Sequence, residues 1–112
     1  MTDGLMLQID IRDRETDVVI AVNGELDFGS VRELLAAGEP FATAGREIVV
    51  DLAAVSFCDS SGLGVLVRLH RSAKAAGGDL KLARPQPQLL AALSISMLDR
   101  MFEICPEVPS AS

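Results

Sequence analysis

The residues best suited to chemistry in this chain are Asp59-Ser60-Ser61-Gly62, two hydroxyls beside a carboxylate, with Gly64 just beyond. A serine nucleophile needs a base to take its proton. The single histidine, His70, lies ten positions after Ser60. On a helix that is roughly 15 Å of rise, a poor distance for a hydrogen bond. The sequence has no G-x-S-x-G elbow and no S-x-x-K motif, so no catalytic residue is expected. Asp51 and Asp59 stand eight positions apart, Asp27 is further away, and no His/Cys set accompanies them. That argues against a transition-metal site. Gly62-Leu63-Gly64 lacks the spacing of a phosphate-binding loop, and close backbone approach or helix packing is its simpler role. What remains on residue type alone is a side chain, of Asp59 or Ser60, that caps a helix.

The surrounding elements bear on that choice. Ile48-Val49-Val50, followed by Asp51-Leu52, is short, apolar and β-branched, as a buried strand is. Beyond a loop, Leu63, Leu66, Val67, Leu69, His70 and Ala73 share one broad helical face. Gly77-Gly78 supplies a residue that takes the left-handed conformation ending a helix at little cost. The serines therefore open a helix expected from about Ser61 to Ala76. Its first turn carries N–H groups without internal partners and a partial positive charge. Asp59 or Ser60 can cap it, and phosphate oxygens are equally suited to it. Four small or polar residues in a row exceed what a cap needs.

The rest of the chain supplies a sheet and further helices. Leu5 to Ile11 alternates in its second half and reads as a strand, Arg12 to Asp17 as a turn, and Val18 to Val22 as a second strand paired with the first in a hairpin. Asn23 to Asp27 is expected to leave the sheet. Ser30 and Glu33 have capping-box spacing ahead of a helical stripe through Val31, Leu34, Leu35 and Phe41. Gly38 and Pro40 interrupt that stripe, so the helix is expected to end or kink near Gly38. A strand over Arg46–Leu52, the central helix and an alternating Asp79–Ala83 form a βαβ unit. Pro87 suits the first turn of another helix with Leu89, Leu90 and Leu93 inward. Met101–Cys105 is a last short strand and Pro106–Ser112 a frayed tail. The reading is one α/β (α+β) domain over residues 1–112, with its core at about 5–105.

Composition narrows the function. The 112 residues suffice for one core. A net charge of −6, from 16 acidic and 10 basic residues, speaks against nucleic acid. No basic amphipathic helix, signal peptide or apolar run long enough to span a bilayer is visible. No membrane insertion is therefore expected. Cys58 and Cys105 make neither a disulfide framework nor a metal set. A reducing, cytoplasmic setting fits, with both as small apolar residues.

Four fragments in this order resemble a known family. They are Gly24-Glu25-Leu26-Asp27, Ile48-Val49-Val50-Asp51-Leu52, Phe57-Cys58-Asp59-Ser60-Ser61-Gly62-Leu63-Gly64-Val65 and Leu98-Asp99-Arg100-Met101-Phe102-Glu103-Ile104. Together they are similar to a STAS domain, and within it to a bacterial anti-sigma factor antagonist. The resemblance implies a mixed four- to five-stranded sheet with about three to four helices mainly on one face, and no enzymatic activity. It implies phosphorylation of Ser60, with Ser61 the neighbouring candidate, by an anti-sigma factor with serine kinase activity. The unphosphorylated form would bind that kinase and free a sigma factor, and a metal-dependent serine phosphatase would reset the switch. The resemblance further implies partner contact through Asp27, Asp59, Ser60, Ser61, Gly62 and Gly64. No cofactor is expected, since ATP belongs to the partner kinase, and the free chain is expected to be a monomer. The competing reading is a constitutive STAS binding module, such as the cytosolic subunit of a membrane lipid transporter. A hydroxyl at position 60 favours the switch, because a scaffold has no need of it.

Overall fold

Alternation along three β-branched strands sorts their side chains onto two faces of one sheet. A computed structural model describes residues 7–110. It contains β1 (Gln8–Asp13), β2 (Val18–Leu26), α1 (Val31–Thr43), β3 (Glu47–Cys58), α2 (Ser60–Ala75), β4 (Asp79–Ala83), α3 (Pro87–Ile95), a 3-10 turn (Leu98–Arg100) and β5 (Glu103–Cys105). The strands lie in the order β1-β2-β3-β4-β5. β1 and β2 form the expected antiparallel hairpin, and every later neighbour pair is parallel. A parallel pair needs a crossover, and here each crossover contains a helix. This is the mixed five-stranded sheet with three α-helices that the sequence implied.

Val50 pairs with Ile20 on one side and Leu82 on the other. Val18, Ile20, Val22, Ile48, Val50, Leu52, Leu80 and Leu82 bury one sheet face against Leu34 and Ala42 of α1, Leu66, Leu69 and Ala73 of α2, and Leu89 and Leu93 of α3. Leu90 points outward at 40% exposure, against the expectation, because a helix lying on a sheet buries only one stripe. On the opposite face Val19, Val49, Ala83 and Cys105 form a smaller cluster with Val108 packed on it. The segment after Pro106, expected to fray, therefore lies across that face as far as Ser110. The expected strand residues Leu5 and Met6 fall outside the described residues.

Several elements differ from their sequence reading. β2 continues through Asn23-Gly24-Glu25 to Leu26, and β3 runs through Ala53 to Cys58. The segments expected to leave the sheet instead pair with each other, Glu25 opposite Phe57 and Leu26 opposite Cys58. Register shifts between Ala21 and Asn23 and between Gly24 and Glu25 re-aim the side chains, which erases the alternation that marks a strand. α1 does not stop at Gly38 but runs unbroken to Thr43 with Pro40 inside. The proline forfeits one hydrogen bond close to the helix end, where little helix remains to be lost. Gly38 is buried, and a methyl group there would stand 2.9 Å from Leu69 Cδ1, so its bare backbone lets α1 close on α2. Gly77 does end α2 with φ +96, and Pro87 opens α3.

Asp51 sits on the free face of the sheet. It accepts Arg84 Nε at 3.1 Å, Arg84 Nη2 at 2.7 Å and the Ala53 N–H at 3.2 Å. The Arg84 pair joins residues 33 positions apart in sequence. Burial acts to raise the Asp51 pKa, but the Arg84 hydrogen bonds, the Ala53 N–H and the guanidinium charge outweigh it and hold the carboxyl below its usual range.

Candidate functional site

The end of the sheet where β2 and β3 finish is built around Asp59. Its backbone is extended, with φ −97 and ψ −172, and it is the N-cap of α2. Asp59 Oδ1 accepts the Gly62 N–H at 3.1 Å, and Oδ2 accepts the Phe28 N–H at 3.3 Å. Its own N–H donates to the Leu26 carbonyl at 3.1 Å. One residue thus ties the start of α2 to the end of β2 and to the loop that follows.

Ser60 is the first residue of α2. It is exposed, while Ser61 is half-buried. Capping falls to Asp59, so the Ser60 hydroxyl is not needed for the helix and stands in water beside the first-turn N–H groups. An oxyanion placed on it meets a favourable end of the helix dipole.

The loop from Asp27 to Ser30 is held by its own residues. Asp27 Oδ1 accepts the Gly29 N–H at 3.0 Å, and the Asp27 carbonyl accepts the Ser30 and Val31 N–H groups at 3.0 Å each. The Ser30 hydroxyl donates to the Glu25 carbonyl at 2.7 Å and accepts the Asp27 N–H at 3.0 Å. Ser30 is the N-cap residue of α1 but makes no side-chain cap bond. The spacing suited a capping box, yet the hydroxyl is spent on the loop instead. Asp27 forms a local turn, and that turn abuts Asp59 through Phe28.

Gly62 is buried. A methyl group on it would lie 2.7 Å from both Cys58 Sγ and the Leu26 carbonyl oxygen. Its close approach is to its own chain, which accounts for a glycine there. Gly64 is exposed, with nothing beyond its immediate chain neighbours and its own helix backbone within 4 Å of the corresponding position among the described residues, and so leaves α2 bare beside Ser60. Of the six residues singled out for partner contact, five surround an open surface and Gly62 lies beneath it.

Neither neighbouring group turns Ser60 into a nucleophile. His70 faces the far end of α2, with Nε2 3.6 Å from Asp79 Oδ1 and its ring edge-on to Phe102 at 5.1 Å. Burial lowers its pKa, partly opposed by the Asp79 charge. Burial and, secondarily, the Asp59 charge push the Cys58 thiol up to about 11, so little of the reactive thiolate forms. Relative to the ordinary value of 9.0, thiolate at pH 8 is about 100-fold scarcer, each pKa unit counting tenfold. Because a more basic thiolate is also more nucleophilic, thiol-disulfide exchange with an aromatic disulfide reagent at pH 8 should run at least about 10-fold slower at Cys58 in the folded Cys105→Ala protein than in the same protein unfolded in urea. Comparable rates would show that the thiol is not buried as described.

Among the described residues no cluster of three or more His, Cys, Asp or Glu could hold a metal ion, and no helix is long and apolar enough to cross a membrane. An open hollow of about 300 Å³ lies on the free sheet face, over Ala21, Ala53 and Ala54 between Asp10, Asn23 and the Asp51–Arg84 pair. Neither serine lines it.

Sequence reading missed Phe28 and Phe57. They are 81% and 47% exposed. The only signal was an aromatic residue inside an otherwise small, polar loop.

Comparison with known proteins places this geometry. The sequence matches the STAS domain family over residues 8–111. It is 32% identical over 98 residues to the anti-sigma-B factor antagonist of Bacillus subtilis (strain 168), covering 88% of this chain and 90% of that one. It is 33% identical over 88 residues to a STAS-domain containing protein of Pseudomonas aeruginosa, covering 79% of this chain and 87% of the other. The fold superposes on the anti-sigma factor antagonist SpoIIAA in its unphosphorylated form with a TM-score of 0.72 at 25% identity, covering 87% of each chain. It superposes on the phosphorylated form of Bacillus SpoIIAA with a TM-score of 0.68 at 27% identity, covering 88% and 89%. A STAS sheet that carries an exposed serine directly after its capping aspartate, with these relatives, makes the chain a member of the STAS-domain family of anti-sigma factor antagonists.

Proposed function

We propose that this chain is an antagonist switched by phosphate on Ser60. Unmodified, it binds an anti-sigma factor that is also a serine kinase, and a sigma factor is released. The kinase transfers the γ-phosphoryl group of its own bound ATP to Ser60 Oγ. The bond to the ADP oxygen breaks, and the hydroxyl proton passes to a base on the kinase. The phosphorylated chain lets go, and a metal-dependent serine phosphatase hydrolyses the ester and restores the first state. The chain itself catalyses nothing, takes no cofactor and acts in the cytoplasm.

One observation carries this reading. Ser60 is exposed at the first position of α2 while Asp59 does the capping, so the hydroxyl is free for modification and the helix end is suited to the product. The existence of both phosphorylated and unphosphorylated structures of SpoIIAA supports it.

Intact-mass and fragment spectrometry on protein from its native host tests the reading. A single phosphate on Ser60, absent in Ser60→Ala, is the expected result. Phosphate on Ser61 would move the site by one position. An unmodified chain under several growth conditions, with Ser60→Asp binding its partners normally, would overturn the switch in favour of a constitutive STAS module.

A further inference from the structure

The chain has four phenylalanines and neither tryptophan nor tyrosine. Phe102 and Phe41 pack with the core. Phe28, at 81% exposure, and Phe57, at 47%, do not. Both belong to the end of the sheet that carries Ser60. The Phe28 N–H is bonded to Asp59 Oδ2, and Phe57 lies two residues before Asp59, opposite Glu25 on the neighbouring strand. Exposed aromatic rings beside a polar rim mark contact sites, and such rings dominate binding energy when they fill a pocket.

Two further features describe the surface that would cover them. The loop bearing Phe28 is fixed by the Asp27 and Ser30 hydrogen bonds and by Asp59, so little ordering cost remains to be met on binding. No Lys or Arg occurs from Ile20 to Val31 or from Glu47 to Val67, whereas Glu25 is paired opposite Phe57, Asp27 precedes Phe28 and Asp59 accepts the Phe28 N–H. The matching surface is apolar at its centre and basic at its edge.

We propose that Phe28 and Phe57 are the apolar anchor of this antagonist. They enter a hollow in a protein partner that is lined by apolar side chains and rimmed by Lys and Arg, and Phe28 determines which partner is accepted. Asp59 acts as a positioning residue that holds Phe28 next to Ser60. The rim carboxylates meet the basic edge, and Ser60 follows directly on the Asp59 that holds Phe28.

The identity of the partner rests on the proposed function, an anti-sigma factor kinase. The test is calorimetric titration of the unphosphorylated full chain into each purified anti-sigma factor kinase of its host. One kinase should bind the wild type. Phe28→Ala should weaken that binding at least about 30-fold, the range of an interface hot spot. Phe28→Leu should recover part of the loss, and Glu25→Gln should flatten the salt dependence. Circular dichroism melts should be unchanged, since the ring is in water. Tight wild-type binding that Phe28→Ala weakens less than about 3-fold would overturn the anchor and leave the switch standing. Absence of wild-type binding to every kinase, together with an unphosphorylated Ser60, would overturn the proposed function and the anchor with it.

Discussion

Phosphorylation of Ser60 is expected to raise the Kd for the anti-sigma factor by two or more decades without altering the fold. The added group brings about −1.5 to −2 charge. In the free chain it stands at the first position of α2, where the helix end favours it by roughly 0.3–1 kcal/mol and Asp59 and Asp27 oppose it. The two effects are of similar size, so the melting temperature should move by no more than about 4 °C. In the complex the phosphate must lose its water, and desolvating an unpaired ion costs several kcal/mol. At 1.4 kcal/mol per decade, about 3 kcal/mol is enough for a hundredfold loss. Calorimetry on the two forms decides the matter, and equal affinities would refute the switch. Ser60→Asp, with one charge and two oxygens, should fall between them, and Ser60→Ala should bind like the unmodified chain.

Gly62→Ala and Gly64→Ala should move stability in opposite directions, although the residues are two apart on one helix. A methyl group at Gly62 meets Cys58 Sγ and the Leu26 carbonyl oxygen at 2.7 Å each. The thiol can shift, but the carbonyl belongs to the end of β2 and moves only with the strand. Overpacking of this kind typically costs 1–3 kcal/mol, against which better helix propensity returns up to about 1 kcal/mol. A net loss of about 2 kcal/mol, or roughly 10 °C in melting temperature, is expected. Gly64 has open space instead, and its alanine should stabilise by up to about 1 kcal/mol. Urea melts of both variants are the measurement. A neutral Gly62→Ala would mean that α2 sits farther from Leu26 than described. Affinity adds a second reading on Gly64→Ala, because a partner backbone pressed against α2 there would be pushed away.

Where one local rule acted alone, the sequence was readable. β4 alternates cleanly and is flanked by Gly78, and its bounds match. Gly77 and Pro87 punctuate helices by rules that need no tertiary context. The Asp59-Ser60-Ser61-Gly62 stretch was visible as a helix opening, though residue type alone left open which of the first two caps it. Features that depend on distant partners were hidden. Arg84 and Asp51 are 33 residues apart and meet only because β3 and β4 are neighbours. The extension of β2 past Val22 depends on β3 lying beside it, and its register shifts scramble the alternation that would have shown it. Pro40 signals a break, but the packing of α1 on the sheet and on α2 outweighs one lost hydrogen bond. Ser30 has the spacing of a cap and serves the loop, since the Glu25 carbonyl lies within its reach. Phe28 is a single residue without periodicity, and its exposure became evident only in three dimensions.

The division of labour between Asp59 and Ser60 also bears on how such a chain can change over time. The helix end and the adjoining loop depend on the Asp59 carboxylate, and neither depends on the Ser60 hydroxyl. Selection for folding therefore holds the aspartate in place and is indifferent to its neighbour. Under the proposed switch, alanine at position 60 would give a permanently active binder that folds as well as its parent, and serine restored there would return it to control by a kinase. Such a switch would be lost or regained at one position, independently of the architecture that displays it.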